Sequence, residues 1–425
     1  MAQPKAAANA AQHHHSTQSC RSCGTQLTGV FADLGMSPVS NAFVKPDGLN
    51  RAEAFFPLQA LVCRSCWLVQ TLDVLGRDQH FHGDYAYFSS MSSGWLDHAR
   101  DFCTMAIERE KLGRQSFAVE VASNDGYLLQ NFVRAGIPCL GVDPAANCAE
   151  QALKTYGVKT HVGFFGIETA KLIVDSHRHA DLTAANNVLA HVPDLNDFIG
   201  GFNVLLAPGG LACFEFPHLL RLIEGNQFDT IYHEHYSYLS LIALAPLFAR
   251  HGLKMTNVEE LTTHGGSLRL FVRHADHTDQ PAAALLNVMQ RERAAGLETI
   301  AAYEGFRAKV DDTKRRLVSL LIGLKNDGRR IAGYGAPAKG NTLLNYCGIG
   351  PDFLDYTVDR SPAKQGLYLP GTRIPVLAPE HLMADRPDFV LILPWNIRDE
   401  IMTQLADIRT WGGRFIVPIP NPEIV

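Results

Sequence analysis

The chain has 425 residues, of which 46% are hydrophobic and 19% charged, with a formal net charge of -5. That length allows two or three domains with sizeable cores, and the composition is that of a globular protein in water. Mild acidity excludes nucleic-acid binding by bulk electrostatics, and no apolar run approaches the roughly 20 residues that a membrane-spanning helix needs.

Residues 1–18, MAQPKAAANAAQHHHSTQ, lack the apolar block of a signal peptide and are expected to form a disordered tail, with His13–His15 read as a cloning remnant. The chain has nine cysteines, an odd number, and no secretory signal, so a reducing, cytoplasmic setting is expected. Cys103, Cys139, Cys148, Cys213 and Cys347 are scattered through apolar surroundings. The other four form two CxxC pairs, Cys20 with Cys23 in CRSCG and Cys63 with Cys66 in CRSCW. Each CxxC turn presents two thiolates, and two such knuckles complete a tetrahedral four-sulfur zinc shell. A catalytic zinc keeps a position open for water or substrate, so this set implies a closed, structural site whose task is to fold a small lobe.

Alternating strand and helix patterns follow, as in a parallel sheet with crossover helices. The predicted strand SFAVEVAS, Ser116–Ser123, runs into Asn124, Asp125 and Gly126 and then a helix beginning YLLQNF. A second strand, PCLGVDP, ends at Asp143, where an acid could hold ribose hydroxyls. The loop EVASNDG has one glycine where a dinucleotide fold has three, so a pyrophosphate has few places to approach the backbone. It suits a cofactor without phosphates whose sulfonium favours acidic surroundings, S-adenosylmethionine, with Glu120, Ala122, Asn124, Asp125, Gly126, Asp143 and Asn186 as candidate contacts. A third strand brings Asn186, Asn187 and His191 to the carboxyl edge of the sheet, where ligands of open α/β sheets bind. The turn Pro208–Gly210 and the strand LACFEFP complete a series typical of class I methyltransferases.

The run YHEHYSYL, Tyr232–Leu239, packs two imidazoles, a carboxylate and three phenols into eight residues. Such density of proton-handling groups points to chemistry rather than to core filling. On an extended strand Tyr232, Glu234 and Tyr236 would face away from His233 and His235, so a turn of helix is the geometry that lets Tyr232 and His235 converge. The glycine-rich turn HGGS, His264–Ser267, and the strand LILPWN, Leu391–Asn396, receive no assigned role, and His161, His177, His179 and His251 are expected to be isolated. A helical, charge-rich segment, about Pro281–Lys325, leads to a second strand, loop and helix unit: RRIAGYG, the turn APAKG, the helix NTLLNY, and a strand ending at Asp359. Tyr334, Lys339 and Asn341 are candidates for diphosphate contact.

The two CxxC pairs, YAYFSSMSSGWLDHA (Tyr85–Ala99), EVASNDG, GVDP, NNVLAHVPDL, IYHEHYSYLS, THGGSLRLFV and GYGAPAKGNTLLN occur in one order. In that order the chain resembles, over nearly its whole length, the sugar C-methyltransferases that act on nucleotide-linked keto-deoxysugars. The resemblance implies a zinc-binding lobe (19–85), a Rossmann-like class I methyltransferase domain (86–280) and a second Rossmann-like domain (281–425) that helps hold the sugar nucleotide. It implies methylation of a carbon next to a ketone, carbon 3 beside a 4-ketone on a thymidine diphosphate (dTDP) carrier. Family catalytic positions match Tyr232, Glu234 and His235, with Asn187 nearby and a tyrosine that is either Tyr85 or Tyr87.

A sugar carbon attacks a methyl sulfonium only after a base removes its proton and something stabilises the enolate oxygen. Histidine, with an ordinary pKa of about 6.5, is neutral near pH 7, so His235 is the expected base. Glu234 would orient an imidazole or bind a sugar hydroxyl, and Tyr232 or Asn187 would donate to the oxyanion. Two other classes remain open from sequence: an NAD-dependent sugar-nucleotide oxidoreductase, suggested by the second Rossmann-like unit, and a zinc-stabilised sugar-nucleotide binding module. A monomer is expected, because no coiled-coil repeat or exposed apolar stripe stands out.

Overall fold

A computed structural model describes residues 18–74, 88–91 and 93–425. Most of the expected tail, together with Tyr85 and Tyr87, lies outside the described residues. Three sheets organise the described residues.

The first is antiparallel and small, with β1 (Gly29–Ser37), β2 (Phe56–Val62) and β3 (Val69–Thr71) in order. Its fourth strand, β9 (Ser237–Tyr238), belongs to the YHEHYSYL run and pairs with β3, Gln70 opposite Ser237 and Val69 opposite Tyr238. The proton-handling run is therefore stitched into the zinc lobe by main-chain hydrogen bonds. Each CxxC knuckle closes the same way, Gly24 N–H donating to Cys20 O and Trp67 N–H to Cys63 O, both 2.9 Å. Both closing residues are left-handed, at φ 74° and 63°, a conformation free to glycine and costly to tryptophan. Trp67 stacks on Tyr303 at 6.1 Å, packing that helps to hold it there.

The second sheet contains β4 (Ala118–Val121), β5 (Cys139–Asp143), β6 (Thr160–Val162), β7 (Ala180–Asn186), β8 (Leu206–Pro217), β10 (Leu253–Leu261) and β11 (Ser267–His274), ordered β10-β11-β8-β7-β4-β5-β6. Only β11 runs antiparallel to its neighbours, the arrangement of a class I methyltransferase. The predicted turn Pro208–Gly210 is instead absorbed into β8 as a bulge, because Ala180 pairs with Leu206 and Leu182 already with Leu211. The helix expected from Tyr127 begins only at Gln130 and ends at Arg134. Side-chain bonds from Gln130 to Tyr127 O and from Asn131 to Leu128 O, both 2.9 Å, compete with the first turn.

The third sheet has β12 (Ile331–Tyr334), β13 (Thr357–Val358), β14 (Val376–Leu377), β15 (Phe389–Ile392), β16 (Arg414–Val417) and β17 (Glu423–Ile424), ordered β14-β13-β12-β15-β16-β17. All but β17 are parallel, and the order reverses direction beside β12, as in a doubly wound fold. The helix after β12 spans Ala338–Cys347, three residues earlier than predicted, because Pro337 pre-sets its entry and Ala338–Gly340 are helical. Lys339 is thereby in the first turn. The charge-rich segment forms two main helices. Ala283–Ala294 lays Leu285 and Val288 on the core of the second sheet, while Phe306–Asn326 stacks Phe306 on Phe31 of β1 at 4.5 Å. Through that second helix the zinc lobe and the third sheet share one continuous apolar core.

Candidate active site

The four cysteine sulfurs lie within 4.8 Å of one another, with Cys20–Cys66 and Cys23–Cys63 both at 3.5 Å. Four sulfurs about 2.3 Å from a tetrahedral zinc stand a little under 4 Å apart, so the set fits the ion. No fifth ligand is needed and the site is closed.

At the carboxyl edge of the second sheet the loop after β4 is held in an unusual form, with Ala122, Asn124 and Gly126 all left-handed at φ 58°, 48° and 82°. Asp143 Oδ2 accepts from Asn124 N–H and Oδ1 from Ala145 N–H, both 2.8 Å. Each oxygen retains a lone pair for a ribose hydroxyl. Ser89 and Ser90 donate backbone N–H groups to Asn124 Oδ1 at 2.9 Å and Asp125 Oδ2 at 3.3 Å. Burial pushes Glu120 well above the usual carboxylate range and Asp143 upward, and each is raised further by a neighbouring acid, Asp143 and Asp125 respectively. A cationic ligand relieves both effects. Asp125 Oδ1 and both amide atoms of Asn187 are buried without a hydrogen-bond partner among the described residues, and Asn187 too is left-handed at φ 55°. An acid cluster with unspent polar atoms fits the ammonium, ribose and sulfonium of S-adenosylmethionine.

Tyr232 and His235 do converge, by a reverse turn rather than a turn of helix: His235 N–H donates to Tyr232 O at 2.9 Å. The Tyr232 hydroxyl lies 2.7 Å from His235 Nε2, and His235 Nδ1 lies 2.8 Å from Thr230 O. A carbonyl only accepts, so Nδ1 carries the proton and bare Nε2 receives the Tyr232 O–H. His191, which sequence placed at the sheet edge without a role, has its ring 4.7 Å from that of His235, and its Nδ1 is held by Glu234 O at 2.8 Å. Burial, then the His191 charge, keeps His235 well below the usual imidazole range. The His235 imidazole is thus neutral at pH 7.

The Glu234 carboxylate touches neither imidazole. Both of its oxygens accept from Asn41 Nδ2 of the zinc lobe, at 2.8 and 2.9 Å, and burial raises it to about 7 against the pull of that bond. It is the Glu234 carbonyl that orients an imidazole. His233 turns the other way, edge-on to Phe56 of β2 at 6.1 Å, and burial lowers its pKa.

The third sheet reaches the same place. Trp395 Nε1 donates to buried Asp229 at 2.6 Å, and Thr342 Oγ1 donates to Ile231 O at 3.0 Å. Lys339 lies 4.5 Å over the Trp395 ring, bonded to Asn396 Oδ1, and burial lowers it to about 8. Asn341 is spent on the zinc lobe, Nδ2 to Ser40 O at 2.6 Å, and Tyr334 bonds Gln404 within its own domain at 3.4 Å. Of the three diphosphate candidates, Lys339 lies over Trp395, which bonds Asp229 ahead of the run; Asn341 is held at Ser40, next to the Asn41 that bonds Glu234, with its amide already donated; and Tyr334 stays within its own domain.

Sequence reasoning gave no role to two other groups near the run. Glu215, in the apolar strand β8, takes His98 Nε2 at 2.8 Å and Arg269 at 3.2 Å. Burial opposes its ionisation, but His98 and Arg269 outweigh burial and hold it below the usual range. A lone glutamate in LACFEFP was the available signal. His264, left-handed at φ 54°, stands edge-on to Trp95 at 5.6 Å and is lowered to about 4, by burial and then by the Lys339 charge. A separate shallow groove of about 620 Å³, lined by Phe117, Pro138, Lys159 and Arg178 among others, opens at the amino ends of the strands, away from these loops.

Fold and site together define a zinc-containing S-adenosylmethionine-dependent methyltransferase. Residues 20–81 match the family description "Putative zinc binding domain", 98–258 "Methyltransferase domain" and 262–420 "C-methyltransferase C-terminal domain". The chain is 37% identical over 408 residues to the C-methyltransferase NovU of Streptomyces niveus, covering 96% of both chains. A ubiquinone biosynthesis O-methyltransferase of Bradyrhizobium sp. (strain ORS 278) is 26% identical over 149 residues, 30% of this chain and 58% of that one. The chain belongs to the S-adenosylmethionine-dependent C-methyltransferase family, which removes the oxidoreductase and binding-module alternatives.

Proposed function

We propose that the enzyme methylates carbon 3 of a dTDP-linked 4-keto-deoxysugar through an enolate. The observation that carries this reading is the Tyr232–His235 pair, a phenol donating to a neutral imidazole whose other nitrogen is tied to Thr230 O. In O-methylation the attacking atom already has a lone pair; a carbon must first be made nucleophilic. His235 takes the proton lost from carbon 3, with the Tyr232 hydroxyl relaying it, and Asn187 donates to the enolate oxygen. S-adenosylmethionine supplies an electrophilic methyl group and is held by Glu120, Ala122, Asn124, Asp125, Gly126, Asp143 and Asn186. Lys339 meets the diphosphate, and Glu234, near its midpoint of ionisation at pH 7, meets a sugar hydroxyl. Tyr85 or Tyr87 completes the site from the zinc lobe. The working unit is a monomer of three domains in the cytoplasm, bounded at 19–85, 86–280 and 281–425.

The test is mass spectrometry of products from a panel of dTDP-linked 4-ketosugars with S-adenosylmethionine, with deuterium wash-in at carbon 3 followed in parallel. One added methyl on carbon and exchange confined to carbon 3 are expected. Methylation on oxygen, or turnover with no sugar of the panel, overturns the reading.

A further inference from the structure

The two zinc knuckles have the same tetrapeptide, Cys-Arg-Ser-Cys, and use its arginine differently. Arg64, in the second knuckle, is exposed and makes no hydrogen bond or ion pair among the described residues. Arg21, in the first, has a side chain only 4% exposed. Its Nη1 donates to Thr71 O and to Tyr236 O, both at 2.9 Å, and its Nη2 reaches Asp73 at 2.5 Å. Its guanidinium also lies 5.1 Å over the Tyr236 ring. The knuckle fold alone does not require this burial, since Arg64 supplies the internal control.

The first knuckle also hydrogen-bonds directly to the methyltransferase domain. Asn196 Nδ2 donates to Arg21 O at 2.8 Å, and Arg250 donates to Ser22 O and Oγ at 2.7 and 2.8 Å. Next to Arg21, Thr71 closes the clamp: its Oγ1 donates to His235 O at 2.9 Å and its N–H to Tyr236 O at 3.1 Å. The carbonyls of two consecutive residues, His235 and Tyr236, are therefore fixed from the zinc lobe. A third, Glu234 O, is taken by His191.

We infer that Arg21 and Thr71 are positioning residues for the reaction, so that the zinc knuckle sets the aim of the His235 imidazole at Tyr232 as well as folding its own lobe. The inference rests on the reading of His235 as the proton acceptor. The physical argument is one of tolerance. A hydrogen bond of 2.7 Å between Tyr232 and His235 survives little rotation of the backbone beneath it, and about 1 Å of misplacement can cost about 100-fold in rate.

The experiment compares Arg21→Met, Arg64→Met and Thr71→Val in the full chain, each loaded with zinc. It measures zinc per chain, S-adenosylmethionine affinity by calorimetry, kcat and KM with the ketosugar that the wild type turns over, and the imidazole nitrogen resonances of His235. Arg64→Met is expected to match the wild type throughout. Arg21→Met is expected to keep one zinc and its donor affinity while kcat falls about 10- to 100-fold, KM moves less than about 3-fold, and the Nε2 resonance loses its hydrogen-bonded position. Thr71→Val, which leaves the knuckle untouched, is expected to show the same pattern more weakly, and it decides the matter if Arg21→Met loses zinc. Unchanged kcat and unchanged His235 resonances in Thr71→Val, or in zinc-loaded Arg21→Met, overturn the inference. A wild type inactive on every ketosugar sinks the substrate reading instead, and the resonances still test the positioning.

Discussion

The second and third sheets repeat one loop frame, one residue shorter in the third, and use it for opposite ends. After β4 the left-handed Ala122 donates to Val142 O at 2.7 Å; after β12 the left-handed Gly335 donates to Val358 O at 2.7 Å. Asp143 accepts from Asn124 N–H at 2.8 Å and Asp359 from Ala336 N–H at 2.7 Å, and each acid caps the residue two further on at 2.8 Å. In the second sheet this frame surrounds Glu120, Asp125 and Asp143 with polar atoms left unspent. In the third it is filled by protein: a Cβ on Gly335 would meet Pro394 at 2.6 Å, one on Gly340 would meet Leu393 at 2.9 Å, and Lys364 bonds Ala336 O at 2.9 Å. The same strand, turn and acid make a cofactor crevice or a packed joint according to what the neighbouring strand exit inserts.

If chemistry belongs to the edge of the second sheet alone, the largest effect comes from His235. His235→Ala should fold, bind S-adenosylmethionine as before and lose about 100- to 10,000-fold in kcat. Because burial and His191 depress its pKa, His235 stays neutral well below pH 6.5, so the acid limb of kcat/KM should lie under the ordinary histidine value. An acid limb near 7 that persists in Glu234→Gln, or near-full activity in the alanine variant, would move the base elsewhere.

The paired acids give the next contrast. Replacing Asp143 with asparagine removes a charge from the crevice proposed for the donor and should weaken S-adenosylmethionine about 10- to 100-fold by calorimetry. Asp359→Asn changes the same frame in the third sheet and should leave that affinity alone. Equal losses would mean that the third sheet also shapes the donor site.

Much of this contrast could not be read from sequence. The zinc ligands and the class I methyltransferase fold were legible because spacing and periodicity report local geometry directly. Asn41, Arg21 and Thr71 were not, because they act on the run across 164 to 215 positions of sequence and carry no local signature. Asn341 looked like a phosphate ligand at a helix start, yet its amide is buried against Ser40 O. Pattern identifies polar residues at a loop; only tertiary packing shows whether another segment has already taken their bonds. The same limit applied to GYGAPAKG, where Pro394 and Leu393 close tightly on Gly335 and Gly340.

Lys339, in the first turn of the third sheet's helix, lies over Trp395, which bonds Asp229 three residues ahead of Tyr232, and it sharpens the comparison. Removing its charge in Lys339→Met should raise the KM for the sugar nucleotide about 10-fold with little change in kcat. In the wild type its pKa of about 8 means that the ammonium is charged below pH 8 and is lost above it. Affinity for the diphosphate should fall as pH rises through 8, and the methionine variant should lack that dependence. A pH-independent KM in both proteins would leave the third sheet a structural joint only.

The smallest functional effect should come from Gly335→Ala, which tests whether that joint is filled as tightly as the distances say. The residue is left-handed at φ 88°, a conformation that costs an L side chain about 1 kcal/mol, and the added methyl would sit 2.6 Å from Pro394 Cδ. A proline ring at a strand exit has little freedom to withdraw, so overpacking adds about 1–3 kcal/mol. Denaturant unfolding should report that loss, while S-adenosylmethionine affinity and kcat stay within about 2-fold, since donor and base are both proposed at the edge of the second sheet. A stable Gly335→Ala protein would show that the loop can relax away from Pro394, and the third frame would then have to be regarded as a crevice held ready for a ligand.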